Sequence, residues 1–181
     1  SATDMLGDGA ESMYAGPLKL KYAGMAKGDL PNNFGLALNT RSELLDADIG
    51  LYAIRYNDTS LQIVTQAASQ RYFLAVPNQV RAFGASISRL VGSANLGLEA
   101  SMRYGQPLVA RSGTVSLPAG AGSSWLTDNT PYPTGRTAHL NLSGTMIGGA
   151  SSLWDGSSLV GELSANHLNS IERNAAKVDT T

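Results

Sequence analysis

In the stretch NLGLEASMRY, residues 95–104, every second side chain is apolar. Leu96, Leu98, Ala100, Met102 and Tyr104 alternate with Asn95, Gly97, Glu99, Ser101 and Arg103. Successive side chains on a strand point to opposite faces, so this segment has one greasy face and one charged face. A soluble sheet turns its greasy face inward. A membrane barrel turns it outward, against lipid. The rest of the chain has to decide between the two.

The same period of two recurs in seven segments. They are residues 18–22, 34–44, 49–57, 80–90, 95–104, 137–146 and 158–166. In the third, Tyr52, Ile54 and Tyr56 oppose Arg55 and Asn57, while its first half fits either face. In the fourth, Phe83, Ala85 and Ile87 share a face that ends in Arg81 and Arg89. Six segments have about the nine to eleven residues a tilted strand needs to cross hydrocarbon. Strands of soluble proteins average nearer five or six. Charged residues make up only 15% of the chain, below the usual quarter. No apolar run is long enough for a transmembrane helix.

The connections alternate in length. Those around Asp46, Gly92–Ser93 and Trp154–Gly156 are short. Those through Gly28 and Pro31, through 58–79, and through 105–136 with its PAGAGSS run are long. In an up-and-down meander all long loops then leave one end, as in outer-membrane barrels. The expected fold is therefore all-β: an antiparallel up-and-down meander, forming a transmembrane β-barrel or a segment of one. Residues 1–16 form a flexible N-terminal segment, 17–170 the barrel meander, and 171–181 a polar tail. An eighth strand near Tyr14 would restore the even count of a bacterial barrel. The alternative is a soluble extracellular β-sandwich that binds partners through its long loops.

On the barrel reading, Arg41, Glu43, Arg55, Glu99, Arg103, His139, Asn141 and Glu162 line a wet lumen, with ion pairs between the arginines and glutamates. Tyr22, Phe34, Tyr56, Phe83, Tyr104 and Trp154 form aromatic girdles at the lipid boundaries. The apolar runs SLQIVTQAAS and RYFLAVP either fold over the pore mouth, with Phe73 and Leu74 as a gate, or extend the flanking strands.

Several stretches resemble the proteobacterial proteins grouped as domain of unknown function family 1302. They are GLALNTRSELLDADIGLYAIRYND, VRAFGASISRLVGSANLGLEASMRYGQPL and HLNLSG…SSLWDGSSLVGELSAN. Matching positions include Gly84, Glu99, Ser101, Arg103, Pro107, Leu108, Trp154, Asp155, Gly161 and Glu162. The resemblance spans roughly residues 30–170. It implies a bacterial outer-membrane β-barrel that handles hydrophobic or lipid-like molecules, with outer-membrane lipid, a hydrophobic small molecule and the remainder of a larger barrel as partners. The chain would be a middle or C-terminal portion of such a barrel.

Little points to chemistry. A net charge of −1 without a basic aromatic patch argues against nucleic acid. With no cysteine, thiolate metal sites are excluded, and His139 and His167 have no ligand-spaced companions. Neither a metal nor a cofactor is expected. His139 and Ser143 share a strand face, but lie about 13 Å apart at the strand rise, against the ~3 Å a general base requires. The AGAG run lacks the Lys-Ser/Thr of a phosphate loop. The chain is expected not to be an enzyme.

Overall fold

The computed structural model describes residues 11–26, 33–77, 79–111, 113–117 and 130–178. Residues 1–10, the Gly28–Pro31 connection, the PAGAGSS run and the last three residues lie outside this set. The fold is all-β, with eleven strands in two sheets among the described residues.

The larger sheet has six strands in the order β11-β10-β8-β7-β4-β3. They are β3 (Phe34–Ser42), β4 (Ala47–Tyr56), β7 (Val80–Val91), β8 (Ala94–Pro107), β10 (Thr134–Gly148) and β11 (Ser157–Arg173). All pairs are antiparallel and neighbours in space are neighbours in chain order, so the sheet is a meander. The turn through 43–46 places Asp46 at φ +46°, and Gly92 opens a two-residue hairpin at φ +62°.

Two of the long connections, 58–79 and 105–136, contribute strands to a second, five-stranded sheet that also takes up the N-terminal strand pair, in the order β1-β2-β6-β5-β9. Its strands are β1 (Ser12–Ala15), β2 (Leu18–Ala26), β5 (Gln62–Gln66), β6 (Arg71–Ala75) and β9 (Val115–Ser116). Pairing here is mixed, with parallel contacts of β2 with β6 and of β5 with β9. This sheet caps the end of the meander from which the long connections leave. One buried cluster joins Met13, Leu20, Tyr72 and Leu74; another joins Val64, Ala75, Val115 and Leu117 to Ala110 and Tyr132 from the ends of β8 and β10. Val178 bridges Ala110 and is buried.

Several expectations need correction. The segment 18–22 belongs to the cap, so the meander has six strands here. The strand near Tyr14 exists, but it pairs with β2 in the cap. Residues 171–173 continue β11, and the segment after them is tied down: Lys177 Nζ donates to the Pro131 carbonyl at 3.0 Å. The runs around Phe73 and Leu74 do not extend β4 and β7. They form the β5–β6 hairpin, with Leu74 buried and Phe73 packed against the Val64 cluster.

Neither buried cluster contains a leucine of the larger sheet. A sandwich would cover that sheet with a second layer. Instead Leu36, Leu38, Leu51, Leu98, Leu142 and Leu163 are all exposed, from 42% to 76%.

Candidate functional site

The candidate site is the larger sheet itself, a ribbon with two chemically opposite faces. Register alignment makes them continuous. Leu38, Leu51, Ala85, Ala100, Leu140 and Ala165 are partners in one row across all six strands. The next row is Thr40, Ile49, Ile87, Leu98, Leu142 and Leu163. A slip of one residue on any strand would break both rows, because the side-chain period is two.

The reverse face is polar. Arg41, Glu99, Arg103, His139, Asn141 and Glu162 lie on it together. Several of their hydrogen bonds run between strands. Tyr52 donates to Glu99 Oε1 at 2.7 Å, and Asn141 Nδ2 donates to Glu162 Oε1 at 2.8 Å. His139 lies between Thr137 Oγ1 at 2.9 Å and Asn166 Oδ1 at 2.7 Å. The expected glutamate–arginine pairs are replaced by these neutral partners. Arg41 pairs instead with Asp46 at 2.6 Å and Asp48 at 3.4 Å.

Tyr52 reaches Glu99 because Gly84 lies beneath its ring. A Cβ built on Gly84 would come within 2.2 Å of the ring carbon Cζ. Glycine thus admits an aromatic laid flat across the sheet, from β4 over β7 to β8. The spacing of Tyr52 and Gly84 could have signalled this only once their strands were known to be partners.

Two of the expected lining residues lie elsewhere. Glu43 is in the 43–46 turn. Arg55 opposes Phe34 and Arg81 and therefore points to the apolar side. Both halves of β4 carry apolar residues, so its parity is undetermined alone. The pairing of Leu51 with Leu38 and of Ala53 with Leu36 sets it and sends Tyr52, Ile54 and Tyr56 to the polar side.

The expected girdle divides similarly. Phe34, Phe83 and Tyr104 lie on the apolar face near the cap, with Phe83 and Tyr104 edge to face at 6.0 Å. Tyr56 is on the other face. Tyr22 is in the cap against Tyr72, 5.3 Å between centroids. Trp154 is half-exposed in the turn at the far end. Among the described residues no group of three or more His, Cys, Asp and Glu could hold a metal.

No curated protein and no solved structure matches the chain. A family match does exist, and it covers residues 1–181 in full. The chain therefore belongs to the family described as Protein of unknown function (DUF1302).

Proposed function

We propose that this chain forms part of a β-barrel in a bacterial outer membrane, with its leucine face against lipid and its polar face toward a lumen through which hydrophobic molecules pass or are handled. The carrying observation is the six-strand apolar face with no layer packed on it. So large an exposed apolar patch calls for a partner phase or surface. Lipid fits, because every strand of the sheet is long enough to cross hydrocarbon and side chains of the reverse face such as Tyr52, His139 and Asn141 hydrogen-bond across strands. The described residues contain no helix long and apolar enough to cross a membrane.

The sheet also has two edges. Among the described residues, β3 and β11 each pair on one side only. Unpaired backbone is prohibitive in hydrocarbon, so these edges take further strands, from the remainder of a larger barrel. The cap closes one end over the lumen as a folded unit, and selection falls to its packing against the rim.

Flotation with phosphatidylcholine vesicles tests the reading. The refolded chain should rise with the vesicles, rich in strand, and accelerate exchange of an apolar fluorophore between loaded and empty vesicles. A chain that remains below as a stable soluble monomer would overturn the membrane assignment. One that floats without accelerating exchange would remove the transport role.

A further inference from the structure

At the cap end of the apolar face the rows change character. Beyond Leu36, Ala53, Phe83 and Met102 comes a row of Phe34, Arg55, Arg81 and Tyr104. Arg136 lies over the Tyr104 ring, 4.6 Å from its centroid. Arg55 and Arg81 are direct cross-strand partners, and like charges so placed repel. Among the described residues, no ion pair involves Arg55, Arg81 or Arg173.

These three arginines open onto a common pocket of about 300 Å³, walled also by Thr130, Thr134 and Glu172. Glu172 is already engaged: Oε2 accepts the Gly105 N–H at 2.9 Å, and Oε1 lies 3.8 Å from Arg136 Nη2. Arg55 Nε and Thr130 Oγ1 are buried without a hydrogen-bond partner. With Glu172 beside Arg136, the three guanidinium groups of Arg55, Arg81 and Arg173 have no carboxylate of their own among the described residues. Clustered forks of this kind suit an anion with several acceptor oxygens, above all a phosphate.

The adjoining rows on the same face form a shallow trough of about 720 Å³. Ala85, Ala100, Ala138 and Ala165 make its floor, between the larger Leu51 and Phe83. A charged pocket at the end of an apolar trough fits a ligand with a phosphate head and a hydrocarbon tail.

We propose that the rim of the sheet binds an anionic lipid, its phosphate held by Arg55, Arg81 and Arg173 and one acyl chain lying in the alanine trough. The assignment rests on the apolar face meeting lipid. It adds a fixed position and a headgroup preference, where the membrane reading requires neither.

Binding of fluorescent phosphatidic acid to the full chain in neutral detergent micelles tests it. Diacylglycerol with the same tails should bind roughly tenfold more weakly or worse, since it lacks the charge-assisted bonds. Arg55→Gln with Arg81→Gln should bring phosphatidic acid down to the diacylglycerol level and leave diacylglycerol unchanged. Arg173→Gln, at an exposed position, repeats the test in part should the double variant not fold. Unchanged phosphatidic acid affinity in the folded variants would overturn the proposal. So would inorganic phosphate binding as tightly as the lipid, which would mark a site for the free ion. Flotation separates this from the membrane reading. Variants that float and keep full affinity reject the site alone. A wild-type chain that stays below, yet binds phosphatidic acid through its arginines, rejects the membrane reading alone.

Discussion

The two sheets use the same alternation to opposite ends. In the cap, Leu20, Tyr72 and Leu74 turn inward and are almost fully buried. In the meander, Leu36, Leu98 and Leu142 occupy equally regular alternate positions and stay exposed among the described residues. Pairing follows the same division. The meander joins chain neighbours, while the cap joins distant segments, such as Lys21 with Arg71 and Val64 with Val115. An apolar face is thus a statement about what a strand needs beside it, and only the tertiary context says whether protein or solvent phase supplies it.

This contrast can be broken most forcefully in the cap. Leu74→Ala removes a buried side chain and should cost about 2–5 kcal/mol of cap stability, read by urea unfolding, with vesicle flotation retained. Loss of flotation instead would mean that cap and meander fold as one unit. On the meander, Leu98→Arg puts a charge near the middle of the proposed lipid face. It should cost about 2–4 kcal/mol of folding into bilayers, whereas Ser88→Arg on the polar face should cost much less. Equal costs would erase the distinction between the faces.

Smaller effects sharpen the picture. Gly84→Ala should push the Tyr52 ring off the sheet and break its bond to Glu99, at about 1–3 kcal/mol from overpacking. Adding Tyr52→Ala in the same chain should relieve the overpacking. Burial, then the neighbouring Tyr22, raises the phenol of Tyr72 above its ordinary value of about 10. The stability linked to that proton is complete at neutral pH and is lost as pH climbs through the raised value. The cap should therefore loosen in strong alkali, as monitored by circular dichroism, and do so less in Tyr72→Phe. Least of all, Arg41→Gln removes an exposed pair with Asp46 and should change stability by under about 1 kcal/mol.

The meander was legible because its evidence is local. The alternation from Leu96 to Tyr104 survives intact in β8, and Phe83, Ala85 and Ile87 share a face of β7 as their spacing requires. The alternating lengths of the connections also located the two ends correctly. β4 was legible only in part, since Ile49 and Leu51 favour one parity and Tyr52 and Ile54 the other. The partner strand decides between them, and a partner is a non-local fact. The cap was hidden for the same reason. Its strands come from the N-terminal segment and two separate connections, and residues such as Val64 and Val115 meet although they are far apart in the chain. The arginine rim was obscured twice over, by the parity of Arg55 and by the distance in sequence to Arg173.

The central claim concerns which way the leucines look. The chain contains no cysteine, so single cysteines can report on each face without background. Leu98→Cys and Glu99→Cys, compared in vesicle-reconstituted protein with a membrane-impermeant thiol reagent and with a lipid-borne quencher, provide the measurement. Position 98 should resist the aqueous reagent and be quenched from the bilayer, while position 99 should react with the reagent and escape quenching. Free reaction at position 98 with no quenching from lipid would contradict the account.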